Sequence, residues 1–230
     1  MTPERFRKLR TALDRRQPDL ALIAENVHKS HNLSALLRTC DAVGVPVVHA
    51  VSDDGAVQRH RGISGGSRHW VEVRVHESVA AACATLESAG FEILAAHFSA
   101  QAVDYRSIDY TRPSAILLGS ELDGVSAPAA ALADRHIVIP MHGMVASLNV
   151  SVAAAVILYE AERQRVAAGC YGKCRLKPDV RARILFEWCY PRIAASCRLK
   201  GVPYPSLDTD GSLRKNPLLN ARRRDRDCRT

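Results

Sequence analysis

The fold is decided by residues 114–160, which read SAILLGSELDGVSAPAAALADRHIVIPMHGMVASLNVSVAAAVILYE. This stretch holds two short, almost wholly apolar runs, 114–119 and 136–141, followed by a long helical pattern over about 148–168. Further apolar runs rich in β-branched residues stand at 20–25, 45–51, 71–75 and 91–98, with helical patterns between them at 32–43 and 78–88. Strands buried on both faces give such runs, and intervening helices connect parallel strands. The sequence therefore predicts an α/β fold with a parallel sheet of about six strands.

Helical patterns of a different composition flank this segment. Thr-Pro-Glu at 2–4 suits the cap and first turn of a basic helix that we expect over 3–16. Residues 181–200 predict a helix interrupted at Pro191, since proline lacks the backbone N–H. Beyond 205 the chain is polar and ends in an arginine-rich tail. We therefore divide the chain into a basic N-terminal helix at 1–19, an α/β domain at 20–168, and a C-terminal helical extension with a basic tail at 169–230.

The overall composition narrows the class of partner and compartment. Lys and Arg number 32 against 24 Asp and Glu, a net charge of +8, which suits either a polyanionic partner or a solvated basic surface. The chain shows no apolar run long enough for a membrane span and no signal-peptide pattern, so we expect a cytoplasmic protein without a membrane partner. Its seven cysteines lack paired CxxC spacings, so we expect reduced thiols and no metal site.

Polar residues gather where three strands of the predicted sheet should end. The fingerprints GxGxxG and GxxxxGK[ST] do not occur, and the glycine-rich stretch at 61–70 is interpreted as a flexible loop. The polar clusters lie instead at 31–45, 116–126 and 139–160. Taken singly, each is an ordinary strand-to-helix connection, and Ser147 is a candidate helix N-cap.

Taken together, the three clusters resemble the SpoU branch of the SPOUT methyltransferases, the SpoU/TrmH family. The family's motifs are similar to NxxALLRTxxAxG, LGxExxGxS and IPMxGxxxSLNVSxAxA, and they stand here at 32–44, 118–126 and 139–155. Further stretches resemble the subfamily that methylates the ribose 2'-hydroxyl of guanosine 18 in tRNA, so the likeness extends over residues 1 to about 205. These stretches are RRQPDL at 15–20, DAVGV at 41–45, VDYRSIDYTRP at 103–113, LYEAERQR at 158–165 and GVPYP at 201–205.

The resemblance implies an S-adenosylmethionine-dependent tRNA methyltransferase that works as a homodimer and whose C-terminal part forms a trefoil knot. It also implies a bent methyl donor held in the knot mainly by backbone groups. The donor-binding positions that match the family motifs are Ala96, Gly119, Ile139, Met144 and Leu148. Their apolar character is compatible with an adenosine pocket. Two alternatives stay open: a relative that methylates ribosomal RNA or another tRNA position, and an RNA-binding protein without activity.

The resemblance also assigns central roles to a set of polar residues. These catalytic candidates are Asn32, Arg38, Glu121, Ser147 and Asn149. Arg38 is either a base for the 2'-hydroxyl or a group that orients the ribose and its phosphate; we favour orientation, because arginine side chains generally have pKa values above ~12. In the family, this arginine is thought to meet the donor bound by the other subunit. Contacts to the tRNA backbone are expected from the N-terminal helix, His31, Arg163 and Arg165.

Overall fold

The computed structural model describes residues 1–27, 29–52 and 69–214, which form two compact units. One unit spans Arg16–Arg175, and the other combines Met1–Arg15 with the chain from Leu176 onward. Most of the predicted glycine-rich loop, at 61–68, and the predicted basic tail from 215 lie outside the described residues.

The larger unit is built on a seven-stranded sheet in which every neighbouring pair is parallel. The strands are β1 (Leu20–Glu25), β2 (Val47–Val51), β3 (Glu72–His76), β4 (Glu92–Ala96), β5 (Val103–Asp104), β6 (Ser114–Leu118) and β7 (Arg135–Val138), in the order β3-β2-β1-β6-β4-β7-β5. The parallel α/β architecture is confirmed, and the expected number of about six strands is corrected to seven. The additional strand, β5, has two residues and is too short to leave a recognisable apolar run.

Helices cover the sheet on both faces. Among the described residues they are α2 (Ser30–Val43), α3 (Val79–Glu87), α4 (Ala127–Leu132) and α5 (Val150–Ala167), and a 3-10 turn lies at Tyr105–Ser107. Within β1, Leu20 and Leu22 join one buried cluster, whereas Ala21 and Ile23 join the other. Because successive strand residues point to opposite faces, a wholly apolar strand supplies two cores at once.

The start of α5 differs from the expectation at one residue. We expected Ser147 as its N-cap, but the cap is Asn149. The side-chain oxygen of Asn149 accepts hydrogen bonds from the backbone N–H of Ser151 at 2.9 Å and from its hydroxyl at 2.6 Å. This pairing satisfies a backbone donor that the first helical turn would otherwise leave without a partner.

The smaller unit contains α1 (Pro3–Asp14), α6 (Pro178–Cys189) and α7 (Pro191–Leu199). The predicted interruption at Pro191 is confirmed, because α7 begins there. Helices α1 and α6 pack together, and the guanidinium of Arg181 donates to both carboxylate oxygens of Asp14. The two chain ends, expected as separate extensions, thus share one unit; the functional boundaries given above stay a prediction.

Within the described residues, no helix is long and apolar enough to cross a membrane. The six cysteines in this part of the chain are free thiols.

Candidate active site

A cavity of about 480 Å³ opens at the carboxyl ends of three neighbouring strands. Its wall includes Ala96, Leu118 and Val138, the last residues of β4, β6 and β7. The loops that follow these strands and the start of α5 complete it. Ligands of open parallel sheets bind outside the carboxyl ends of the strands, so this cavity is the candidate active site.

Four of the five residues predicted to hold the methyl donor line this cavity. They are Ala96, Gly119, Ile139 and Leu148. Met144 does not line it, since its side chain is fully exposed, and Met141 lies on the wall instead. The loop that follows β7 therefore contributes through its beginning and its end, at Ile139 and at Leu148.

Three predicted catalytic residues form one hydrogen-bonded chain. Asn32, in the first turn of α2, is 2 % exposed. Its amide nitrogen donates to a carboxylate oxygen of Glu121 at 2.5 Å, and its carbonyl oxygen accepts from the amide of Asn149 at 3.3 Å. Glu121 and Asn149 both line the cavity. A buried amide with partners on both of its ends thus joins α2, the loop after β6 and the start of α5.

The environment of Glu121 keeps it ionised. Burial raises the pKa of this carboxyl, but the hydrogen bond from Asn32, backbone donors and the charge of Lys29 together leave the pKa below its ordinary value. Lys29 also lines the cavity. Near neutral pH, the acceptor facing Asn32 is therefore a carboxylate, which strengthens the hydrogen bond.

The loop that carries Glu121 is folded tightly on itself. Ser120 and Gly124 exchange two backbone hydrogen bonds, at 2.9 and 3.1 Å. A Cβ on Gly119 would lie 1.9 Å from the carbonyl oxygen of Gly124, and Gly124 itself has a φ of +70°. Glycine at both positions is required, because the first allows the close backbone approach and the second the left-handed conformation.

The remaining catalytic candidates are placed differently. Ser147 lines the cavity and is exposed. Arg38 is exposed, does not line the cavity, and makes no hydrogen bond or ion pair with another described residue. It follows Asn32 by six residues on α2, which is about 120° around the helix. Within one chain, Arg38 therefore faces away from the Asn32 network.

The residues predicted to contact RNA divide into exposed and buried ones. His31 is exposed, and the side chain of Arg163 is 67 % exposed while it pairs with Glu160. Arg165 is fully buried. Its guanidinium bonds to Gln17, to Asp19 and to the backbone carbonyls of Asp19, Tyr110 and Arg112. All of its donor groups face the protein, so the expectation of RNA contact at Arg165 was wrong.

Sequence reasoning missed several residues of the cavity wall. These are Lys29, His97, Phe98, Ser120, Leu122, Gly124, Leu118, Ile137, Val138, Met141, Ala146, Val150 and Ala153. His97 and Phe98 were included in the apolar run at 91–98, but the strand ends at Ala96. The histidine in that run marked the end of the strand and the start of a wall segment.

Two family models match this chain. A model described as the SpoU rRNA Methylase family matches residues 19–159, and one described as SpoU, rRNA methylase, C-terminal matches residues 163–216. The chain belongs to the SpoU rRNA methylase family. All residues of the cavity wall lie within the first match, and the family match continues into the smaller unit.

Individual members of the SpoU family cover most of the chain. The tRNA (guanosine(18)-2'-O)-methyltransferase of Escherichia coli K12 is 48 % identical over 215 residues, 93 % of this chain and 94 % of that protein. A crystal structure of a TrmH/SpoU tRNA modifying enzyme from A. aeolicus has a TM-score of 0.76 and 39 % identity, and the match covers 82 % of this chain and 96 % of that one. An AdoMet-bound rRNA methyltransferase from Sinorhizobium meliloti has a TM-score of 0.54 and 27 % identity, covering 67 % and 59 %.

Proposed function

We propose that this protein transfers a methyl group from S-adenosylmethionine to the ribose 2'-hydroxyl of guanosine 18 in tRNA. The observation that carries the proposal is the chain of hydrogen bonds Glu121–Asn32–Asn149 on the cavity, formed by residues of all three family motifs. The substrate follows the relative from E. coli, which matches over nearly the whole chain, including the smaller unit. We further propose that the enzyme acts in the cytoplasm, where a tRNA substrate would be available.

The cavity fits S-adenosylmethionine in size and chemistry. Its volume of about 480 Å³ lies in the usual range of small-molecule sites, ~300–1,000 Å³. Apolar side chains such as Ile139 and Leu148 suit an adenine ring, and the glycine backbone at Gly119 leaves peptide groups accessible to its polar atoms. When bound, the donor supplies a sulfonium methyl group that is open to attack by an oxygen nucleophile.

The residues around the cavity position the reactants. Asn32, held by Glu121 and Asn149, fixes the relative placement of three wall segments, and alignment of the reacting atoms is a large part of the catalysis of such transfers. Arg38 binds the phosphate next to the target ribose and so orients the ribose, because a charged guanidinium forms paired hydrogen bonds with phosphate oxygens. The 2'-oxygen would form a bond to the methyl carbon as the bond between that carbon and the donor's sulfur breaks; S-adenosylhomocysteine would be the leaving group, and the hydroxyl proton would pass to water.

The active site is completed by a second copy of the chain. Helix α5 exposes three apolar residues spaced seven positions apart, Val152, Tyr159 and Val166. Seven residues make nearly two full turns, so each of these side chains is rotated by only about 20° from the previous one and the three form a stripe along one face. The opposite face of α5 is buried in the core through residues such as Ile157. We assign the exposed stripe to a homodimer interface, which brings Arg38 of one subunit to the cavity of the other.

Basic surfaces hold the tRNA. Helix α1 exposes four cations and its C-cap residue exposes a fifth, and such a basic surface suits the phosphate backbone of RNA. These residues are Arg5, Arg7, Lys8, Arg10 and Arg15. Arg163 and His31 add exposed basic groups on the larger unit. We assign the 1–19 helix to tRNA binding and residues 20–168 to catalysis.

The C-terminal part of the catalytic domain is proposed to form the trefoil knot of the family. In support, the chain enters β6 between β1 and β4, then crosses to β7 beyond β4, and finally returns to the cavity through 139–149. A knot would hold the loops after β6 and β7 against each other at the donor site.

The test is transfer of labelled methyl from S-adenosylmethionine to unmodified tRNA, with the product mapped by nucleotide. Label on the ribose of guanosine 18, lost in Arg38→Ala, supports the substrate and the site. Label only on ribosomal RNA or on another tRNA position would refute the assignment of guanosine 18. Donor binding without transfer to any RNA would refute the methyltransferase activity itself.

A further inference from the structure

Glu25 is a buried acidic residue that does not line the cavity. It is the last residue of β1 and is 4 % exposed. It is absent from the cavity wall and from the ion pairs between described residues. Burial of a carboxylate is costly unless its oxygens are hydrogen-bonded, so the partners that Glu25 does have bear on its role.

Among the described residues, the side chain of Glu25 forms its hydrogen bonds with Ser126. One carboxylate oxygen accepts from the backbone N–H of Ser126 at 3.0 Å, and the other accepts from the Ser126 hydroxyl at 2.6 Å. The Ser126 oxygen in turn accepts from the backbone N–H of Ala129 and caps α4. Glu25 therefore fixes Ser126 through both of its donors.

Ser126 ends the loop that carries Glu121. The loop leaves β6 at Leu118, which is paired with Ala24 of β1, and it reaches Ser126 after crossing the cavity wall. Both ends of this 119–126 loop are consequently attached to the end of β1, one through the sheet and the other through Glu25. Between these ends, the loop is rigid because Ser120 and Gly124 are joined by two backbone hydrogen bonds.

We propose that Glu25 is a positioning residue for methyl transfer. Its carboxylate, through Ser126, holds the 119–126 loop so that Glu121 meets Asn32 and the loop backbone shapes the donor cavity. Without this attachment the rigid loop can pivot about Leu118, and the Glu121–Asn32 contact is misplaced. The proposal rests on the proposed function, since it concerns the same cavity.

The experiment compares full-length variants that alter the attachment at either end. Glu25→Gln keeps the shape of the side chain but replaces one hydrogen-bond-accepting oxygen with an NH₂ group. Ser126→Ala removes the hydroxyl, which is one of the two groups that donate to Glu25. Ser126→Thr keeps the hydroxyl and is the rescue variant. Asp134→Asn is the matched control, because Asp134 also accepts a backbone N–H, from Ile93 at the amino end of β4, away from the cavity. For each variant, S-adenosylmethionine affinity, kcat, the KM for tRNA and the melting temperature are measured.

The expected result is a loss of about 10²-fold in kcat for Glu25→Gln, the size expected when reacting groups are displaced by about 1 Å. Donor affinity falls as well, while the KM for tRNA changes by less than about twofold because the RNA surface is untouched. Ser126→Ala is impaired in the same direction, and Ser126→Thr and Asp134→Asn retain kcat. The Glu25→Gln, Ser126→Ala double variant is no worse than the poorer single variant, since both remove one attachment.

Unchanged kcat and donor affinity in Glu25→Gln would overturn the proposal. Additive losses of kcat in the double variant would also overturn it. So would a loss of kcat in Asp134→Asn that bears the same relation to its melting temperature as the loss in Glu25→Gln. Should Glu25→Gln fail to fold, equal kcat in Ser126→Ala and Ser126→Thr would overturn it instead. Donor affinity is measured without RNA, so it tests the role of Glu25 even where wild type fails to methylate tRNA and the proposed function is rejected.

Discussion

The amide nitrogen of Asn32 lies 2.5 Å from a carboxylate oxygen of Glu121, joining two residues that are 89 positions apart in the chain. Asn32 is buried and its other end binds Asn149, so the contact links all three sequence motifs. Its strength depends on the charge of Glu121, whose pKa is lowered in the folded protein.

Replacement of Glu121 by Gln should reduce stability in a pH-dependent manner. A carboxyl with a lowered folded-state pKa contributes its stability fully above its unfolded pKa, ~4.3, and loses it as the pH falls through the folded value. Wild type should therefore melt above Glu121→Gln at pH 7, and the two should converge as the pH is lowered below about 4. Thermal melts between pH 3 and 8 measure this, and a gap that widens toward acid would contradict the assigned direction.

Arg38 and Asn149 should act in one active site from different subunits. Arg38→Ala and Asn149→Ala should each be inactive alone, whereas a mixture that is unfolded and refolded together should regain about a quarter of wild-type activity. Half of the dimers are then mixed, and each of these holds one complete site. If the refolded mixture stays as inactive as its components, then Arg38 does not serve the cavity of the partner subunit.

The exposed stripe on α5 should control association. Tyr159→Glu places a charge at the centre of the Val152–Tyr159–Val166 stripe, where burial against a second copy is unfavourable. Sedimentation should show a monomer for this variant and a dimer for wild type. Ala167→Glu is the control, since Ala167 is exposed about 100° around the helix from Val166. A dimer in both variants would remove α5 from the interface.

Arg163 and Arg165, two residues apart, should affect different properties. Arg165→Met should lower the free energy of unfolding by about 3–5 kcal/mol, because it leaves half-buried Asp19 with one cation fewer and takes one hydrogen-bond donor from each of three carbonyls. Arg163→Ala should leave stability nearly unchanged, and we expect it to weaken tRNA binding and reduce its salt dependence. Urea unfolding and binding titrations at several salt concentrations separate the two effects. Equal stability losses would contradict the burial difference.

Gly211 should be intolerant of a side chain. Its φ is +84°, and a Cβ would lie 2.4 Å from Cδ2 of Phe6 on α1. Gly201 is the matched control, with a φ of +62° and nothing within 4 Å of a Cβ. Gly201→Ala should cost about 1–2 kcal/mol in unfolding free energy, from backbone strain alone. Gly211→Ala should exceed that by about 1–3 kcal/mol, the cost of overpacking.

Phe6→Ala separates the clash at Gly211 from the strain. In that background, the additional cost of Gly211→Ala should fall toward that of Gly201→Ala. If Gly211→Ala lowers the free energy of unfolding equally with and without the Phe6 ring, then the ring moves aside without loss of packing and the clash contributes nothing.

Sequence patterns predicted the architecture because its causes are local. The apolar runs at 20–25 and 114–119 predicted β1 and β6 nearly to the residue, and Pro191 marked the break between α6 and α7. The two-residue strand β5 was missed, since its pairing with β7 depends on tertiary contacts rather than on an apolar run.

The sequence motifs indicated the family and seven residues of the cavity wall, because glycines and polar residues at strand ends form a recognisable pattern. Tertiary structure alone decided which polar side chains meet. Arg163 and Arg165 have the same chemistry in the sequence, yet one is exposed and the other is fully buried against Asp19. Glu25 was predicted only as the end of the apolar run at 20–25, although its side chain binds Ser126, which is 101 positions away in the chain. Burial and partners over such separations depend on how the chain packs, and no local pattern records them.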